Sequence, residues 1–270
     1  MTSLKSCQHL LLGQQEQVLH ITLNRPASRN AMSLAMLDEL LGVLRDASQD
    51  RALRAIVLRG AEGHFCAGGD VRDMANARTL GTEAYRQLNR RFGQLLEEAA
   101  HQPQVVLAVL EGAVLGGGLG LACIADIALC RADAQFGMPE TSLGIIPAQI
   151  APFVLQRIGL TQSRRLALTA ARFDGNEALR MGLVHSCAAD TQELDQQLAD
   201  YLAQISRCAP QANAGTKALL LASAAAIDSA LLDQAADWFA AAVGSNEGAE
   251  GTLAFVQKRP PAWARSAQDE

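Results

Sequence analysis

The sequence predicts an α/β body followed by a helical C-terminal appendage. Short apolar runs bounded by breakers alternate with helix-compatible stretches as far as about residue 190. Two of those runs lead through glycine clusters into helix-compatible sequence, with the same order of parts each time. From Thr191 onward strand signals vanish.

Val18–Leu23 (VLHITL) alternates as a half-buried strand does, and Asn24-Arg25-Pro26 ends it. Ser33 is placed to cap a helix running to about Ser48, with Leu34, Leu37, Leu40, Leu41 and Leu44 on one face. Ala55–Leu58 is the next strand, broken by Arg59-Gly60 and followed by Ala67-Gly68-Gly69-Asp70. Gly81–His101 reads as a long helix closed by Pro103. Val105–Leu110 is a buried strand, Glu111-Gly112 breaks it, and Gly116 to Gly118 lead into a helix over Leu119–Ile124. Asp126–Arg131 and Ala134–Gly137 are short strands. Met138–Pro147 is a loop holding one carboxylate, Glu140, among apolar and small residues. Thr161 is placed to cap a helix over Gln162–Thr169, and Asn176–Met181 with Val184 makes a last helix–strand pair. Four helices follow: Thr191–Arg207, Ala212–Ser223, Ser229–Val243 and Glu247–Val256. The organisation expected is a core over residues 1–200 and a helical region over 201–270.

A strand that turns through glycines into a helix presents bare backbone N–H groups. Two such turns can donate to one oxygen, an oxyanion hole in which one donor is worth ~3 kcal/mol of transition-state stabilisation. The alternative is that each cluster only permits tight strand–helix packing.

Composition narrows the class. At 49% hydrophobic and 19% charged the chain is globular, and a net charge of −5 argues against nucleic acid. The six cysteines form no CxxC pair and read as buried thiols of a reducing compartment. No stretch is long enough for a membrane helix, so the protein is expected to be cytoplasmic, with no membrane partner. The five histidines are scattered without metal-ligand spacing, no phosphate loop or G-x-S-x-G elbow occurs, and the Gly116–Gly120 cluster lacks dinucleotide spacing.

Five stretches in order carry a family resemblance: Leu23–Met32, His64–Met74, Gly112–Ile127, Gln135–Pro147 and Glu250–Trp263. Across nearly the whole chain the sequence resembles the enoyl-CoA hydratase/isomerase (crotonase) family. The resemblance implies a spiral of ββα turns with a C-terminal helical trimerisation region, assembled as a homotrimer or a dimer-of-trimers homohexamer. It implies an acyl-CoA thioester as ligand and no cofactor beyond the coenzyme A of the substrate. N–H groups of Gly69 and Gly117 would hold the thioester oxygen, and Glu140 would move the proton. Ala67, Gly68, Asp70, Leu115, Gly116 and Gly120 belong to the two glycine motifs at the ligand. Asp70, at a helix start, also has a structural reading. Arg25, Arg29 and Arg72 flank motifs that face the ligand, and Phe255 and Lys258 match residues that often reach coenzyme A from a neighbouring subunit. Met138, Leu143, Ile146, Gln149 and the loop around Val71–Leu88 would set pocket size.

Family hydratases use two glutamates that share a water. Glu140 matches one; Gly120 stands where the other would be. Three readings follow. The first is a hydratase of a 3-branched glutaconyl-CoA, such as methylglutaconyl-CoA or isohexenylglutaconyl-CoA, because residues 143–159 and 168–185 look most like hydratases of such esters. There the substrate's own carboxylate or another group holds the water, and Gly120 widens the pocket. The second is a single-glutamate enoyl-CoA isomerase. The third is a non-catalytic CoA-ester binder.

Overall fold

The computed structural model describes residues 6–224 and 227–264, with backbone only at residue 78. The strands are β1 (Leu10–Gln15), β2 (Val18–Leu23), β3 (Ala55–Gly60), β4 (Val105–Leu110), β5 (Ala113–Leu115), β6 (Ile127–Arg131), β7 (Gln135–Gly137), β8 (Arg172–Phe173) and β9 (Ser186–Ala188). They form a main sheet of order β1-β2-β3-β4-β6-β9 and a small sheet of order β5-β7-β8. β1 lies antiparallel to β2; the remaining pairs of the main sheet are parallel, with Ile56 opposite Val106 and Ala108 opposite Ala128.

β3 and β4 are continuous apolar runs because both faces of the main sheet are covered. Ile56, Leu58, Val106 and Ala108 pack into the larger core with Leu37, Leu40, Leu41, Leu44, Leu95 and Leu96. Val57, Leu107, Val109 and Leu129 pack on the other side with Leu194, Leu198 and Ile205.

Each chain turn lays one long strand in the main sheet and one short extended piece in a second layer. The bridges Met32–Gly69 and Cys66–Val114 extend that layer beyond β5 and β7. Helices close the turns: α1 (Leu34–Gln49), α2 (Val71–Leu80), α3 (Thr82–Ala100), α4 (Gly117–Ile124), α5 (Ala151–Thr169) and α6 (Gly175–Arg180). This is the spiral of ββα turns that the resemblance implies. Ser33 caps α1 as predicted, its hydroxyl accepting the Met36 N–H at 3.2 Å. After β9 the described elements are helices: α7 (Thr191–Ser206), α8 (Pro210–Ser223), α9 (Ser229–Val243) and α10 (Asn246–Val256).

Several boundaries differ from expectation. α5 starts at Ala151, well before residue 162, because Pro152 sits in the first turn, where its missing N–H costs nothing. Gly159 (φ 74°) then kinks the helix, so the predicted segment is its second half. α2 forms its own helix where a loop was expected, capped by Asp70. The last strand lies at Ser186–Ala188, beyond Val184. A division after residue 200 would cut α7, which is continuous to Ser206 and packs on the main sheet; the helical region begins past Arg207. Both expected domains also include residues outside those described. No described helix is long and apolar enough to cross a membrane.

Candidate active site

The first glycine turn is held by a bridge that spares one amide. The Met32 N–H donates to the Gly68 carbonyl at 2.7 Å and the Asp70 N–H to the Met32 carbonyl at 2.9 Å. Those bonds use the atoms on either side of Gly69, so among the described residues its own N–H has no acceptor. The second turn is held by the Gly116 N–H donating to the Gly137 carbonyl at 2.9 Å. Gly117 opens α4, where a first-turn N–H has no intrahelical acceptor. The turns touch: a Cβ on Gly68 would lie 3.9 Å from the Gly117 nitrogen and 3.2 Å from the Leu115 carbonyl oxygen. Gly69 and Gly117 face the same cavity, of about 160 Å³.

Glu140 enters this cavity from a 3-10 turn, Glu140–Leu143, just after β7. Its Oε1 lies 2.8 Å from the place a Cβ on Gly116 would occupy. Its Oε2 is buried without a hydrogen-bond partner. Burial pushes the carboxyl above its ordinary range, and its own backbone N–H only partly offsets this. A carboxyl shifted upward by burial accepts a proton more readily than an exposed glutamate, which suits it to general acid–base work.

The remaining expected residues divide. Asp70 borders the cavity but both oxygens are taken: Oδ1 accepts the Arg72 N–H at 2.8 Å and Oδ2 pairs with Arg25 Nη2 at 2.6 Å. Burial works against its charge, yet Arg25 and the Arg72 amide outweigh it and hold the carboxyl below its ordinary value. Arg25 also donates to the Ala31 carbonyl, so both terminal nitrogens are engaged and it is no free cation for a phosphate. Arg29 and Arg72 are exposed, and among the described residues their guanidinium groups are unengaged. Ala67 donates its N–H to the Arg29 carbonyl at 3.0 Å, tying that loop to the first turn.

Three pocket expectations are corrected. Met138 is 1% exposed and belongs to the core, because the apolar side chain points between the layers. Leu143 is 68% exposed and stands outside the cavity. Gly120 is buried behind the wall and widens nothing: a Cβ there would meet Ile150 Cγ2 at 2.6 Å and Leu96 Cδ1 at 3.3 Å. Leu115 and Gly116 support the turn from behind. Ile146 and Gln149 do line the cavity; Phe255, 85% exposed, and Lys258 do not line it in their own chain.

Sequence reasoning found one wall in part and missed one pin. The expected segment Val71–Leu88 does line the cavity through Asp73, Met74, Tyr85 and Leu88, but as helix and not loop. The wall runs on along α3 to Asn89 and Phe92; Tyr85, Leu88, Asn89 and Phe92 are legible as i, i+3, i+4, i+7 spacing. The pin is Asn30, fully buried at φ 58°, which accepts the Arg25 N–H and donates to the Ala61 and His64 carbonyls. Thiol chemistry has no support at the site: burial pushes Cys66 up to about 11 and Cys123 up to about 12. Among the described residues no group of three or more His, Cys, Asp or Glu side chains is arranged to hold a metal ion.

The spiral fold and the paired glycine turns define the class: an enzyme acting on CoA esters. Residues 13–266 match the family model for enoyl-CoA hydratase/isomerase, and the chain belongs to that family. It is 32% identical to the peroxisomal Delta(3,5)-Delta(2,4)-dienoyl-CoA isomerase of Arabidopsis thaliana, over 98% of this chain and 99% of that protein. It is 31% identical to the 2,3-dehydroadipyl-CoA hydratase of Escherichia coli, over 93% and 97% of the two. Among solved structures, Pseudomonas aeruginosa AtuE is 68% identical with a TM-score of 0.94, covering 96% of this chain and all of that one.

Proposed function

We propose that the protein hydrates a 3-branched glutaconyl-CoA, such as methylglutaconyl-CoA or isohexenylglutaconyl-CoA. One observation carries this reading: Glu140, with its unpartnered Oε2, shares a cavity with the spare N–H groups of Gly69 and Gly117. The resemblance of residues 143–159 and 168–185 to hydratases of branched glutaconyl esters supports the substrate.

The Glu140 carboxylate takes a proton from water as the water oxygen bonds to C3. The C2=C3 electron pair moves onto the thioester oxygen, where the Gly69 and Gly117 N–H groups stabilise it. Protonated Glu140 then returns the proton to C2 and the carbonyl re-forms. One acid completes the cycle because it donates the proton it accepted. Arg29 and Arg72, exposed and without a side-chain partner among the described residues, are available to the phosphates of coenzyme A, with Phe255 and Lys258 of a neighbouring copy completing the contact. The exposed apolar residues Leu232, Phe239, Val243 and Val256 support a homotrimer or homohexamer.

A second reading, single-glutamate isomerisation, is favoured by the apolar packing of Ile150 and Leu96 at Gly120. Incubation of the purified enzyme with 3-methylglutaconyl-CoA and its isohexenyl analogue separates the two. Hydration removes the enoyl-thioester absorbance and adds the mass of one water. A shifted double bond without added water would establish the isomerase instead.

A further inference from the structure

We infer that the Gln149 side-chain amide holds the water that adds to the double bond, in place of the absent second glutamate; this rests on the hydratase reading above. Gln149 and Ile150 act as a pair. Ile150 occupies the volume in front of Gly120 that a glutamate stem would need. The preceding residue, Gln149, lines the cavity that Glu140 and Gly117 also line.

Its amide end rests against α3 where Gly93 leaves the backbone bare. Its Oε1 and Cδ sit 1.8 and 2.7 Å from where a Cβ on Gly93 would be. Glycine inside a helix costs about 1 kcal/mol relative to alanine, so the seat for the amide is bought at a local loss of helix stability. Gly93 precedes Leu96 by three residues, so the amide sits one turn along α3 from the apolar plug at Gly120.

Within the described residues the Gln149 amide makes no hydrogen bond, although it is only partly exposed. Arg90 Nη1 comes within 3.0 Å of the same Cβ position, but the Arg90 guanidinium is paired through Nη2 with Glu97 at 2.8 Å. A half-buried amide with its donors and acceptor unspent, across a cavity from a base, fits a water that gives one hydrogen to Glu140 and the other to Gln149 Oε1. An amide cannot take the proton, so it positions the water and Glu140 alone moves charge.

The test uses the full-length enzyme with 3-methylglutaconyl-CoA for hydration. Exchange of the C2 hydrogens of 3-methylglutaryl-CoA with D2O provides a second readout, which needs Glu140 and the spare N–H groups but no added water. Misplacing a reactant by about 1 Å can cost ~10²-fold. Gln149→Ala is therefore expected to lower hydration kcat about 10- to 100-fold, with KM and the exchange rate within about threefold of wild type. Gly93→Ala, a helix-favouring change that displaces the amide without removing it, is expected to do the same while circular dichroism stays native. Gln149→Glu is expected to keep hydrating and to add an ionisation to the acidic limb of its pH profile. Unchanged hydration in Gln149→Ala, or equal loss of hydration and exchange, overturns the inference while the hydratase reading stands. A wild-type enzyme that hydrates neither ester overturns both.

Discussion

Glu140 Oε1 lies 2.8 Å from the point where a side chain on Gly116 would begin. The carboxylate therefore rests against the turn that exposes the Gly117 N–H, and Gly116 itself holds φ 48°, a left-handed conformation. Gly116→Ala combines backbone strain with displacement of the acid. A loss of about 1–3 kcal/mol in stability is expected from the strain, together with a kcat loss of ~10²-fold from the displaced carboxylate. Denaturant unfolding and steady-state kinetics on the same preparation check both.

Glu140→Gln keeps the shape and removes the proton transfer, so turnover should fall by ~10²–10⁴. Stability should move the other way. The folded-state pKa is raised, so ionised Glu140 costs stability above that pKa, and the cost vanishes below the ordinary carboxylate range. The variant is thus expected to melt higher than wild type at pH 8, with the gap closing towards pH 4. The wild-type acidic limb of kcat should likewise lie above the ordinary glutamate pKa.

Restoring a glutamate at Gly120 alone should fail. Its Cβ would meet Ile150 Cγ2 at 2.6 Å, and overpacking of that kind costs about 1–3 kcal/mol. Gly120→Glu is expected to lower Tm. Combined with Ile150→Ala, the loss should be less than the sum of the two single changes, by about 0.5–3 kcal/mol as contacting residues show. Additive losses would mean that the two positions do not share the space.

The Arg25–Asp70 pair braces the first turn, with the guanidinium spent on Asp70 and the Ala31 carbonyl. Arg25→Ala should destabilise by about 1–3 kcal/mol at pH 7 by leaving a buried carboxylate without its cation. Asp70 has a lowered folded pKa, so its stabilising contribution is present above the ordinary aspartate value and fades as pH falls through the folded one. The difference between wild type and variant should shrink in acid melts.

Arg29 and Arg72 should behave differently from Arg25. Both are exposed, and neither side chain makes a hydrogen bond or ion pair among the described residues. Alanine at either is expected to raise KM for the CoA ester several-fold, with kcat and Tm near wild type. The salt dependence of KM should flatten in the double variant, because screened phosphate contacts are what is lost.

Legibility followed the range of the interactions. α1, α9 and the apolar runs of β3 and β4 were readable because caps, periodicity and burial act within a few residues. The start of α5 is obscured by Pro152, which reads as a breaker yet suits a first turn, and by Gly159, whose kink is spanned as Val154, Ile158 and Leu166 pack into the core. β5 and β8 are two or three residues long and exist only through pairing with β7. At the site, both glycine turns and Glu140 could be named in advance. Met138 was misassigned because a residue in a ligand-facing loop can still point inward, and one position's direction is not written in its type.

Local chemistry in the chain specified the two glycine turns, the lone acid and the helical ending, since each depends on neighbours in sequence. Tertiary structure alone decided that the two turns meet, that Arg25 is spent on Asp70, and that Ile150 rather than open space faces Gly120. Those outcomes join residues tens of positions apart, and the close packing that selects them is a property of the assembled spiral.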